Sequence, residues 1–199
     1  MKLFSLAVLY RNNEDKAVIL SSYQDLTTFS FFQRSSFQEF MQFTSRLIAE
    51  RSNMGDRSCV KHEDYMCHCY IRMDNLTAVL ISDFEYPKRV AFTMMNKVLD
   101  DFSIKYPPSA WTSAGDHSLT FPELEQFLTK YQNPKEADGM IKLQTDLDET
   151  KIILHETINK VLQRGEKLDD LVDKSEALSM QSKAFYKTAK KTNQCCRIL

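Results

Sequence analysis

Met140, Leu143, Leu147, Thr150, Leu154, Thr157, Val161, Arg164, Leu168, Leu171, Ser175, Leu178, Ser182, Phe185, Ala189 and Thr192 follow one another at alternating steps of three and four. That is a heptad seam, the spacing of a helix that packs against other helices in a coiled coil. One continuous helix over this stretch spans on the order of 80 Å, at about 1.5 Å per residue. A single seam position carries a charge, Arg164 at the centre.

A guanidinium in an apolar seam is costly to desolvate unless facing helices supply acceptors for its donors. Carbonyl-bearing side chains at the same level satisfy its planar fork, and such a polar layer penalises every shifted pairing. The seam is too polar for self-association. Thr150, Thr157, Ser175, Ser182 and Thr192 lie on it, Gly165 beside the arginine costs about 1 kcal/mol of helix propensity, and stacked Arg164 side chains would repel. The stretch is therefore expected to be largely unfolded alone and to become helical against different partners.

Val161-Leu-Gln-Arg164-Gly-Glu-Lys-Leu168-Asp-Asp-Leu171 resembles the core of the R-SNARE (synaptobrevin-type) motif. The resemblance implies that Arg164 occupies a central ionic layer, where it meets Gln residues from three Gln-type SNARE helices in a parallel four-helix bundle. The apolar layers of that bundle are then Met140, Leu143, Leu147, Leu154, Val161, Leu168, Leu171, Leu178, Phe185 and Ala189.

Toward the amino end, the 199 residues leave room for one medium domain. Leu3 to Tyr10 and Ala17 to Tyr23 read as strands around the polar turn Arg11 to Lys16. Phe37, Phe40, Met41, Leu47 and Ile48 make the stripe of a helix capped at Ser35 or Ser36 and ending near Ser52. Ser58 to Glu63, Tyr65 to Met73 and Leu76 to Ser82 read as strands, the last two joined at Asp74-Asn75. Pro87 opens a second helix through Phe102, an irregular segment holds Trp111, and Thr120-Phe-Pro-Glu123 reads as a capping box for a third helix through Tyr131.

The fold class is thus α+β, a sandwich of a five-stranded antiparallel sheet and three helices. This order resembles the longin domain that precedes the coiled coil in one branch of R-SNAREs, and the resemblance implies a profilin-like sandwich. The expected divisions are a longin domain over 1–131, a linker over 132–139, the R-SNARE motif over 140–192 and a tail over 193–199.

From Lys183 onward the chain has no acid, while Lys183, Lys187, Lys190, Lys191 and Arg197 are basic. Such an end suits an anionic membrane surface. Cys196-Arg-Ile-Leu199 fits the prenylation pattern, with Cys195 a candidate for palmitoylation. One lipid gives marginal membrane binding and a second makes it stable. Leu199 favours geranylgeranyl by the general rule, whereas the resembling family is farnesylated, so the prenyl group stays open. No apolar run approaches the roughly 20 residues of a membrane span, and no cofactor beyond covalent lipid is expected.

Net charge is −1, which offers no electrostatic case for nucleic acid. Five cysteines without disulfide-type spacing suit a reducing compartment. Cys67-His68-Cys69 invites a zinc reading, but in a strand His68 points away from both cysteines, so the three cannot close a tetrahedron. No nucleophile elbow or phosphate loop appears, and the chain is read as no enzyme. The expected role is a lipid-anchored vesicular R-SNARE that drives intracellular membrane fusion. The resemblance places it in the cytosol and on the cytoplasmic face of Golgi, ER-derived vesicle and endosomal membranes. The alternative is a lipid-anchored longin adaptor that tethers or sorts vesicles without driving fusion. Phe43, beside Phe40 and Leu47, widens the first helix's stripe beyond what one sheet face covers, and an apolar patch of that kind marks a docking site. Its expected occupant is the chain's own coiled-coil stretch, with its lipid. The competing reading packs Phe43 under the Phe29–Phe32 loop.

Overall fold

The computed structural model describes residues 1–134 and 151–195. Strands β1 (Leu3–Arg11) and β2 (Ala17–Gln24) form the expected hairpin. The Asn12 side chain closes its turn by accepting from the backbone N–H groups of Glu14 and Lys16. Strands β3 (Arg57–His62), β4 (Tyr65–Ile71) and β5 (Leu76–Ser82) follow. Between β4 and β5, Asn75 sits at φ 64°, and Asp74 Oδ1 accepts from the Leu76 N–H at 3.1 Å. Asn is one of the few residues besides glycine that visit this left-handed region.

The strand order is β2-β1-β5-β4-β3-β6. Every residue of β5 is buried, as a central strand covered on both faces requires. Among the described residues the sheet therefore has six strands where the pattern predicts five. The sixth, β6 (Ile152–His155), comes from the heptad stretch and pairs parallel to β3, Arg57 opposite Ile152 through Val60 opposite His155. The edge of β3 would otherwise present unpaired N–H and C=O groups, and β6 satisfies them.

Helix α1 (Arg34–Arg51) emerges from a 3-10 turn at Phe31–Gln33 and has no side-chain cap, so neither Ser35 nor Ser36 plays the expected role. Ser36 is buried in the first turn instead. Helix α2 (Lys88–Lys105) buries Val90, Ala91, Met94, Met95, Val98, Leu99 and Phe102. The segment read as irregular contains a five-residue helix, α3 (Pro108–Thr112), which places Trp111 in the core. Helix α4 (Glu123–Lys130) starts behind Pro122 without the Thr120 capping box. Glu123 turns instead to Lys105, Nζ to Oε1 2.9 Å. The domain thus has four helices where three are read from the sequence.

Two cores result, one on each face of the sheet. Helices α2 and α4, with Trp111 and Phe121, cover the first. Helix α1 covers part of the second through Met41, Leu47, Ile48 and Ala49. Ile158, Leu168, Val172, Leu178 and Tyr186 of the heptad stretch complete it.

Candidate functional site: where the heptad stretch meets the domain

The described part of the heptad stretch is not one helix here. After β6 come a 3-10 turn (Ile158–Lys160), helix α5 (Leu168–Lys174) and helix α6 (Met180–Cys195). Each break has a local cause. Gly165 sits at φ 90°, where a Cβ would be strained, and turns the chain between Val161 and α5. At the start of α6, Glu39 of α1 accepts from the Ser179 backbone N–H at 2.7 Å. That carboxylate supplies an acceptor to an orphan helix donor, from another element of the fold. Burial raises the Glu39 pKa, but hydrogen bonds from Ser179 and Ser182 outweigh it and hold the carboxyl below its ordinary value.

Aromatic contacts seat α6 on α1. Phe185 meets Phe37 edge-on at 5.4 Å, and Tyr186 lies flat on Phe40 at 5.3 Å. Phe43 stands 6.2 Å from Phe40, half-buried in the same cluster, and Leu47 is buried beneath it. It is Phe37 that stacks on Phe29, at 3.8 Å. Between α1, α6 and the β3–β4 end of the sheet lies a small apolar cavity walled by Phe37, Phe40, Met41, Tyr65, Tyr186 and Ala189. His62 also borders it, and burial pushes that imidazole down to about 4.

Ion pairs hold the periphery. Arg51 donates through Nε and Nη2 to both carboxylate oxygens of Glu166, at 3.1 and 2.7 Å. These bonds first, then one from the Gln163 N–H, keep Glu166 below the usual carboxylate range. Asp169 accepts from Tyr186 Oη at 3.0 Å and from Lys190, and Lys187 pairs with Asp173 at 2.9 Å. In a continuous helix, residues 169 and 190 would stand about 30 Å apart at 1.5 Å per residue. The hairpin of α5 and α6 and a straight helix are therefore exclusive.

Of the seam residues, Leu168, Leu178 and Ser182 are buried, and Val161, Leu171, Phe185 and Ala189 are half-buried. Leu154 is 52% exposed, and Arg164 is exposed beside Gly165. Met140, Leu143, Leu147 and Cys196 lie outside the described residues, as does the side chain of Cys195. Sequence reasoning missed Ile158, Val172 and Tyr186, which are buried although off the seam. A signal for them existed. Ile158, Gly165, Val172, Ser179 and Tyr186 recur every seven residues, one step past the seam. Apolar residues and chain-breakers alternate along that line, which is the pattern of short pieces folded back rather than of one rod.

The cysteine–histidine group is split by the pleat. His68 shares a face with Cys59 and Ser82, its ring nitrogens 3.2 Å from Cys59 Sγ and 3.0 Å from Ser82 Oγ. Cys67 and Cys69 belong to the opposite core. Burial pushes the Cys59 thiol up to about 11 and His68 down to about 3, the reverse of what a thiolate–imidazolium pair needs. Among the described residues no group of three or more His, Cys, Asp or Glu could hold a metal ion. No described helix is long and apolar enough to cross a membrane.

Two family models match the chain. The longin model, a regulated-SNARE-like domain, covers residues 26–128, and the synaptobrevin model covers residues 139–198. A protein of Schizosaccharomyces pombe named synaptobrevin homolog ykt6 is 52% identical, with both chains covered in full. Proteins named synaptobrevin homolog YKT6 from Eremothecium gossypii and Yarrowia lipolytica are 49% and 47% identical, again over the whole of each chain.

Proposed function

Since the chain belongs to the longin-bearing synaptobrevin family, the non-enzymatic R-SNAREs of vesicle trafficking, we propose that its heptad stretch has two competing associations. One is with three Gln-type SNARE helices in a parallel bundle that draws two membranes together. The other is with its own domain, and it holds the chain inactive. In the bundle Arg164 lies at the central layer, where carbonyl side chains of the partners receive its donors. Met140 through Ala189 then fill the apolar layers as one helix.

One observation carries this reading: the seam residues Leu168, Leu178 and Ser182 are buried against the domain. A side chain cannot fill a bundle layer and the domain core at once, so each association excludes the other. A prenyl group on Cys196 and an acyl group on Cys195 would supply the anchor against which bundle formation pulls. The folded-back form would keep such a chain in the cytosol until it meets a Golgi, ER-derived or endosomal membrane. In that form the lipid would shelter in the apolar groove beside Phe40.

The test compares wild type with Phe43→Glu and with Tyr186→Ser, both lipidated, by small-angle scattering, membrane partitioning and assembly with Gln-type helices. Circular dichroism and thermal melting establish that each domain is still folded. The reading predicts more extended variants that bind membranes more and assemble faster. Equal dimensions and equal assembly rates in folded variants rule it out. Content mixing between vesicles, as distinct from docking, separates fusion from the tethering alternative.

A further inference from the structure

Two aromatic side chains that the folded-back stretch does not use stand in water. Phe31 is 77% and Phe32 is 85% exposed, on the 3-10 turn that leads into α1, with their rings edge-to-face at 5.8 Å. All residues from Thr27 to Ser35 are exposed except Phe29, so the turn projects from the domain. It is nevertheless firmly held. Phe29 is stacked on Phe37, Arg34 Nε donates to the Phe29 carbonyl at 3.2 Å, and the Gln33 N–H donates to the Ser30 carbonyl at 2.9 Å. A rigid base thus presents two large apolar groups at a convex tip.

The charge around the tip selects the partner. From Leu26 to Gln38 the chain has one charge, that of Arg34, and no acid. Arg34 is exposed and forms no ion pair among the described residues. Helix α6 reaches this same end of α1 through Phe185, and its sequence from Lys183 onward is basic and free of acid. Its Lys187 and Lys190 are tied to Asp173 and Asp169, and Lys183 donates to the Asp173 carbonyl, whereas Arg34 stands in the turn itself, two residues from Phe32. An aromatic pair on a convex, acid-free tip with an unpaired guanidinium suits the boundary between headgroups and acyl chains.

We propose that the Phe31–Phe32 turn is a membrane-contact element, which inserts both rings into the interfacial layer of an anionic bilayer while Arg34 meets the headgroups. It acts in the folded-back form, since neither ring is covered by the heptad stretch. The domain can then recognise a lipid surface before the seam is released. This inference does not depend on the inhibitory reading above, because it concerns a surface that both forms expose.

The experiment uses the full chain with Cys195→Ser and Cys196→Ser, so that no lipid is attached. Its partitioning onto phosphatidylcholine vesicles, with and without phosphatidylserine, is compared with that of Phe31→Ser/Phe32→Ser and of Arg34→Gln. Both phenylalanines are exposed, so the double variant keeps the fold. A Phe32→Trp chain is read by quenching from brominated acyl chains, with the buried Trp111 as an unquenched internal reference. The expected results are quenching of Trp at 32 and a loss on the order of tenfold or more in partitioning for the double variant. Arg34→Gln should lose binding only where phosphatidylserine is present. An unquenched tryptophan with unchanged partitioning overturns the proposal. So does a double variant that binds vesicles normally and instead assembles poorly with partner helices, which would make the tip a protein-docking surface.

Discussion

Tyr186 of α6 lies on Phe40 of α1 with the two ring planes 17° apart, and its hydroxyl donates to Asp169 of α5. One side chain thus joins three helices: the stacking face holds α6 to the domain, and the polar tip holds α6 to α5. Burial first, then the Asp169 carboxylate, raises the Tyr186 pKa, so it remains a donor throughout the neutral range. Tyr186 is off the heptad seam, and it therefore separates the two associations of the stretch.

Tyr186→Ser should release the stretch without harming the bundle. The loss of a buried ring, its stacking and its hydrogen bond costs about 2–4 kcal/mol of docking. Phe185, its seam neighbour, stays intact. Hydrogen exchange at the β6 amides should quicken by roughly 30- to 900-fold, while the melting temperature of the assembled bundle moves little. Unchanged β6 protection would show that Tyr186 does not hold the stretch down.

The mirror experiment is Leu154→Glu. Leu154 is on the seam yet 52% exposed where β6 pairs with β3, so a carboxylate there meets water in the folded-back form. In a bundle layer the same charge is desolvated without a partner, at a cost of several kcal/mol. β6 protection should be unchanged, and assembly with Gln-type helices should fail or slow strongly. Normal assembly would remove Leu154 from the layers.

How far this was legible in the sequence differs from element to element. The apolar runs of β1 and β5 came through because both strands are buried on both faces of the sheet, and the three–four stripe of α2 because that helix turns one face to the core. Caps did not. Thr120 and Glu123 have the spacing of a capping box, but Lys105, eighteen residues earlier, wins Glu123. The heptads were plain, yet they describe the stretch against other helices. Its form against the domain is written one residue further on, at Ile158, Val172 and Tyr186. Two such messages overlap in one sequence, and the longer period is read first. Ile152-Ile153-Leu154 is a short apolar run of strand type, but the heptad period runs through it, and its pairing partner is the open edge of β3, far away in sequence.

Arg51 and Glu166 should act as a modest latch. Their double hydrogen bond is partly exposed, which limits it to about 1 kcal/mol, or roughly a fivefold change in the docked fraction. Glu166→Gln and Arg51→Gln should each produce that change, and the double variant should add little to either. High salt should weaken the wild-type latch and leave both variants unaffected. Additive effects of the two substitutions would mean the residues act separately.

Acid should undo the folded-back form through His62. The imidazole borders the apolar cavity between α1 and α6, and burial pushes its pKa down to about 4, from an ordinary value near 6.5. The docked form therefore favours the neutral ring. Its contribution to docking is fully present above about pH 6.5 and is lost as pH falls from there toward 4. At pH 5.5 the freed ring is about nine-tenths protonated and the docked ring almost neutral, which weakens docking by up to about tenfold. Two neighbouring carboxylates respond to acid as well. Glu166, held down by Arg51, withdraws its support only as pH falls through the carboxylate range. Glu63, raised by burial and by Asp64, works in the opposite sense and favours docking once protonated. The difference between wild type and His62→Gln isolates the imidazole from both. Scattering dimensions and β6 exchange, followed from pH 7.5 to 5, should show wild type opening and the variant holding nearly constant. Parallel curves for the two proteins would show that His62 carries none of the pH dependence.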